Sequence, residues 1–85
     1  MNIYLYTQPA DTVSSGLIDR LHQSGLPFEE VPVVGNADAR RWLKLAGQSV
    51  PCVRFVRDGV PFVNLSGPGL DYLEETIRHL NQEAA

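Results

Sequence analysis

Between Ile3 and Thr7 the chain alternates Ile3 and Leu5 with Tyr4 and Tyr6, so both faces of an extended segment carry aliphatic or aromatic side chains. That pattern predicts a buried strand. Beyond Gln8-Pro9-Ala10, Asp11 or Thr12 is placed to cap a helix whose apolar residues Val13, Leu17, Ile18 and Leu21 recur near helical spacing, and Gly25 ends it. A second strand is expected within Pro27 to Val34, around Phe28, Val31 and Val33. Pro27 and Pro32 lack amide donors, which assigns this strand to a sheet edge. Asn36 then caps a helix from Ala37 to Ala46, with Ala39, Leu43 and Ala46 on one side, Trp42 beside them, and Arg40, Arg41 and Lys44 turned outward. Two apolar runs, Val50 to Val56 and Val60 to Leu65, flank Asp58-Gly59, a hairpin signal because both turn positions need positive φ. Finally Leu70, Leu73, Ile77 and Leu80 share one face of a helix that begins near Gly67-Pro68-Gly69.

The order βαβαββα describes an α/β domain: a parallel βαβ unit with right-handed crossover, an antiparallel hairpin and a closing helix. A four-stranded mixed sheet with helices on both faces is expected. Without a linker, repeat or low-complexity tract, residues 1–85 read as one domain.

Composition narrows the function classes. A net charge of −3, with seven Lys and Arg scattered from Arg20 to Arg78, supplies no basic stripe for a phosphate backbone, so nucleic acid is not an expected partner. No apolar run approaches the roughly 20 residues of a membrane span, and the start Met1-Asn2-Ile3-Tyr4 lacks the basic region of a signal peptide. A cytoplasmic, monomeric protein is the expectation, without membrane attachment. Cys52 is the single cysteine; it excludes an internal disulfide and fits a reducing compartment. Cys52, His22 and His79 are too far apart in sequence for a recognised zinc pattern, so no metal is expected. His22 and His79 are expected at solvent, and Tyr4, Tyr6, Trp42 and Tyr72 in packing contacts.

The element order, with Tyr6-Thr7-Gln8-Pro9 after the first strand and Ser49-Val50-Pro51 opening the third, resembles the glutaredoxins over nearly the whole chain. Ser66-Gly67 followed by Asp71 also resembles the small redoxins that supply electrons to ribonucleotide reductase. The resemblance implies a thioredoxin-like fold. It also implies a Cys-x-x-Cys directly after the Tyr-Thr-x-Pro segment, at a helix start that favours the thiolate. Here those two positions read Asp11 and Ser14, neither of which can attack a disulfide.

Each candidate site residue carries two readings. Asp11 and Ser14 either cap the first helix or stand where a ligand anion would meet its amides, and a carboxylate already there argues for the cap. Pro51 matches the family's cis-proline, which implies that the backbone of Val50 is free to pair with an extended ligand. The glutathione contacts of the family map onto Gln8, Val50 and the Gly67–Asp71 segment. Gln8 is uncharged where the family has a basic residue, and Gly69 stands at the acidic position. Arg40 and Arg41 are either solvated surface or a carboxylate contact. Cys52 is either a small buried hydrophobe or a reactive thiol helped by Arg54 on the same strand face.

Two functions follow. One is a non-catalytic binding module that holds a peptide, a partner protein or a small thiol such as glutathione in the Pro51 groove. The other is a residual glutathione-dependent oxidoreductase acting through Cys52 alone. No tightly held cofactor is expected in either.

Overall fold

In the computed structural model, which describes residues 2–8 and 11–84, the alternating segments join in one four-stranded sheet. The elements run β1 (Asn2–Thr7), α1 (Thr12–Ser24), β2 (Glu29–Pro32), α2 (Ala37–Leu45), β3 (Cys52–Arg57), β4 (Val60–Ser66), a 3-10 segment (Gly67–Tyr72) and α3 (Leu73–Ala84). Strand order is β2-β1-β3-β4; β1 pairs parallel with β2 and antiparallel with β3, and β3 pairs antiparallel with β4. The proline-bearing β2 is therefore an edge, as its missing donor requires. Pro9 and Ala10, expected to break the chain after β1, lie outside the described residues.

The period of two along β1 and β3 sorts their side chains between two cores. Ile3, Leu5, Val53 and Phe55 face α1 and α3, where Leu17, Leu21, Leu73, Ile77 and Leu80 meet them in one buried cluster. Tyr6 and Cys52 face α2 and join Val33, Ala39 and Leu43, with Tyr4, Val31, Trp42 and Val50 at the margin. Helices thus cover both faces, two on one and one short helix on the other. Full burial of a side chain such as Leu5 or Phe55 contributes about 1.5–3 kcal/mol each, so the first cluster carries most of the apolar stabilisation.

The termini of the elements follow local chemistry. Gly25, in the left-handed region at φ 75°, closes α1 by donating its N–H to the His22 carbonyl. The β3–β4 turn places Asp58 and Gly59 both at positive φ, as a two-residue hairpin turn demands, and a bulge at Phe55/Val56 precedes it.

Several boundaries differ from the sequence expectations. The second strand spans only four residues, with the Val33 amide beyond it still donating to the Thr7 carbonyl at 3.0 Å; Phe28 packs on the α1–α3 core and Val33 on the α2 core from outside the strand. Val13 is exposed and Ser14 takes the buried position in the first turn, since Ser14, Leu17 and Leu21 form the row that meets the sheet. Ala46 is exposed because α2 stops at Leu45 and the chain turns through Gly47. The Gly67–Gly69 stretch opens a 3-10 turn that buries Leu70, and α3 starts only at Leu73. Tyr72 projects from that turn and is exposed instead of packed. His22 and His79 are both exposed.

Strand direction has one consequence for the site. Because β1, β2 and β4 run together and β3 runs against them, Thr7-Gln8, Val33-Val34, Val50-Pro51 and Ser66-Gly67 collect at one end of the sheet.

Candidate functional site

At that end the start of α1 is filled from within the chain. Asp11 sits at the N-cap with extended backbone, and its carboxylate accepts from the Val13 amide at 3.0 Å through one oxygen and from Ser14 Oγ at 3.1 Å through the other. The Asp11 carbonyl also accepts from the Ser15 amide at 3.1 Å. Ser14 itself is 3% exposed. One helix-end amide, that of Val13, and the Ser14 hydroxyl are thus satisfied by a resident negative charge where an incoming anion would sit. This arrangement matches the capping reading of Asp11 and Ser14.

The facing wall comes from the segment between α2 and β3. The Val50–Pro51 peptide bond is cis, Pro51 is buried, and Val50 is half-buried against the α2 core. Sheet pairing begins one residue beyond Pro51, at Cys52 opposite Tyr6 and Ser66. Gln48 ties the corner together: its Oε1 accepts from Ser66 Oγ at 2.7 Å and from Cys52 Sγ at 3.9 Å. Ser66 Oγ in turn accepts from the Ser49 amide at 3.3 Å. Gly67, at φ 54°, lies against the same strand of backbone, since a Cβ there would stand 3.8 Å from Ser49 Oγ. Thr7 is buried and donates through Oγ1 to Glu30 at 3.1 Å, while Gln8 beside it is exposed.

Cys52 does not present a thiolate. It is 0% exposed, and burial pushes its pKa from 9.0 up to about 11; the Arg54 charge acts the other way and is the smaller effect. Arg54 does share the strand face with Cys52, as the period of two predicts. Its guanidinium is engaged elsewhere, donating to Tyr6 Oη at 3.2 Å and lying 4.2 Å from the Trp42 ring centroid. The burial of Cys52 matches the buried-hydrophobe reading, since desolvation outweighs one partly buried cation.

The sequence candidates divide accordingly. Gln8, Val50, Pro51 and Gly67 belong to elements that meet at this end of the sheet. Asp71 is exposed in the 3-10 segment, where its charge acts on Arg20 and helps to raise that guanidinium's pKa, after the larger effect of the Glu74 hydrogen bond. Arg40 and Arg41 are exposed on α2. Gln48 was missed, and nothing in a lone glutamine between two turn residues marks it. The Arg54, Tyr6 and Trp42 cluster was legible in principle from the alternation that places Tyr4, Tyr6 and Arg54 on one face. Among the described residues, no helix is long and apolar enough to cross a membrane.

No protein-family model and no curated protein matches the chain. Solved structures do. The thioredoxin-like protein BC3987 is 29% identical, with a TM-score of 0.67 over 87% of this chain and 97% of its own. The fold is thioredoxin-like. A designed protein superimposes with a TM-score of 0.74 at 24% identity, covering 93% of this chain and 78% of that one. Thioredoxin 1 from the thermophilic eubacterium Thermosipho africanus TCF52B, at 14% identity, gives 0.65 over 95% of this chain and 99% of its own. On this thioredoxin-like fold the end of the sheet just described carries a carboxylate and a hydroxyl at the start of α1, and its one thiol lies beneath the surface.

Proposed function

We propose that the chain is a binding module of glutaredoxin-like descent that holds an extended peptide or a small thiol such as glutathione at the Val50–Pro51 corner and performs no two-thiol redox chemistry. The observation that carries this reading is the closure of the α1 start by Asp11 and Ser14. Disulfide exchange needs a thiolate to attack sulfur and a second thiol to resolve the mixed disulfide. A carboxylate bound to its own helix and a hydroxyl donating to that carboxylate supply neither. The single-thiol alternative is disfavoured by the burial and raised pKa of Cys52.

What remains at the corner is backbone and shape. Val50 precedes the first paired residue of β3, so the sheet leaves its main-chain groups for a ligand in extended form. Gln8 and the Gly67 turn flank it, and Val34 at the end of the β2 connection is an exposed apolar neighbour in the same layer of loops.

An NMR titration of the 15N-labelled chain with reduced glutathione, and separately with a thiol-free tripeptide, tests the reading. Shifts grouped at Gln8, Val50 and Gly67 with either ligand are expected. Absence of grouped shifts with both ligands would overturn it, and so would turnover by the wild-type chain in a glutathione-dependent disulfide-reduction assay.

A further inference from the structure

The α2 face of the sheet holds a second feature, separate from the Pro51 corner. Tyr4 on β1 is the Cα partner of Glu29 on β2 and of Arg54 on β3, so Glu29, Tyr4 and Arg54 form one row across three strands. All three line a cleft of about 430 Å³, together with Tyr6, Val31 and Val56. That volume lies within the range of small-molecule sites. With strands about 4.8 Å apart, the acidic and basic residues stand roughly 10 Å from each other at Cα, with the tyrosine between them.

Neither charge is neutralised by an opposite charge among the described residues. Among the described residues, neither Arg54 nor Glu29 makes an ion pair with the other or with the pairs formed by Arg20 and Glu74 and by Arg78, His79 and Glu75. Arg54 donates to Tyr6 Oη through one Nη, and its guanidinium lies over Trp42, but its Nε–H is buried without an acceptor. A buried donor left unmade is costly, and a half-buried guanidinium without a counter-ion presents positive potential to the cleft it lines. Aromatic contacts on one side fix its position in advance of any ligand, which lowers the ordering cost of binding.

We propose that this cleft binds a small zwitterion, a free α-amino acid, with its carboxylate on Arg54, its ammonium on Glu29 and its side chain over the Tyr4 ring. A single anion would meet the repulsion of Glu29, and a single cation that of Arg54. A molecule carrying both charges a few bonds apart satisfies the row.

The test titrates the intact 15N-labelled chain with L-phenylalanine, with N-acetyl-L-phenylalanine, which lacks the cation, and with L-phenylalaninamide, which lacks the carboxylate. The zwitterion is expected to move the amide signals of Tyr4, Glu29 and Arg54 and to bind about tenfold or more tightly than either blocked probe. Arg54→Met and Glu29→Gln should each remove that preference. Glu29 is exposed, so the second variant folds even if the first does not. No movement of those three signals up to about 10 mM, or equal binding of all three probes, would overturn the proposal. Shifts confined to Gln8, Val50 and Gly67 would also overturn it, since they would place the ligand at the other site.

Discussion

The two faces of the sheet are built from the same strands and do different work. Under α1 and α3 the inward residues of β1 and β3 are Ile3, Leu5, Val53 and Phe55, all apolar and at most 3% exposed. Under α2 the alternate residues are Tyr4, Tyr6, Cys52 and Arg54, each carrying a polar atom, and α2 spans only nine residues. Two helices close the first face and leave it dry. The short helix covers only part of the second, so a hydroxyl, a guanidinium and an aromatic cluster stay near solvent with room beside them. Stability is concentrated where every group is apolar, and recognition chemistry is available only where polar groups are partly covered.

The sharpest way to break this contrast is Phe55→Ala. Truncating a 0%-exposed aromatic in the closed core should cost about 3–5 kcal/mol, read as a drop in the urea midpoint, which is a large fraction of the stability of a domain this size. A cost below about 1 kcal/mol would mean the α1–α3 face is not the stabilising one.

A smaller effect comes from Cys52 on the other face. Its folded pKa is raised to about 11 from 9.0, so the protonated thiol favours the folded state fully below pH 9 and that contribution is lost as pH rises towards 11. The difference in unfolding free energy between wild type and Cys52→Ala should therefore shrink by about 2 kcal/mol between pH 8 and pH 11. A difference that does not change with pH would show that the thiol is not desolvated.

Tyr6→Phe is expected to have the smallest effect. It keeps the ring stacked on Trp42, at 5.2 Å between centroids, and removes the hydroxyl that accepts from Arg54. The expected loss is about 1 kcal/mol by thermal or urea unfolding, because Arg54 lies near enough to solvent for water to replace the partner. A loss approaching that of Phe55→Ala would mean that this face is as closed as the other.

The contrast between faces was already present in the alternation of β1, where Ile3 and Leu5 oppose Tyr4 and Tyr6. The hairpin at Asp58-Gly59, the Asp11 and Asn36 caps and the Leu73, Ile77, Leu80 face were legible for the same reason: each depends on neighbours within a few residues. Where the reading slipped, the deciding contact was distant. Val13 and Ser14 are adjacent and both fit a helix, and only the position of the sheet buries the serine. Ala46 is the local exception: it fits the periodicity of α2, yet the adjacent Gly47 turns the chain before it can pack. Gln48 gains its role chiefly from Ser66, which reaches it through the β3–β4 hairpin.

The sequence by itself determined the element order, the absence of a thiol pair and the identity of the residues at the start of α1, because these are properties of local spacing and composition. Only the tertiary structure decided that Cys52 is sealed off and that Glu29 and Arg54 flank Tyr4 across three strands. Burial and register both depend on residues brought together from far along the chain, and the free energies they control, desolvation and charge pairing, have no counterpart in a run of neighbouring letters.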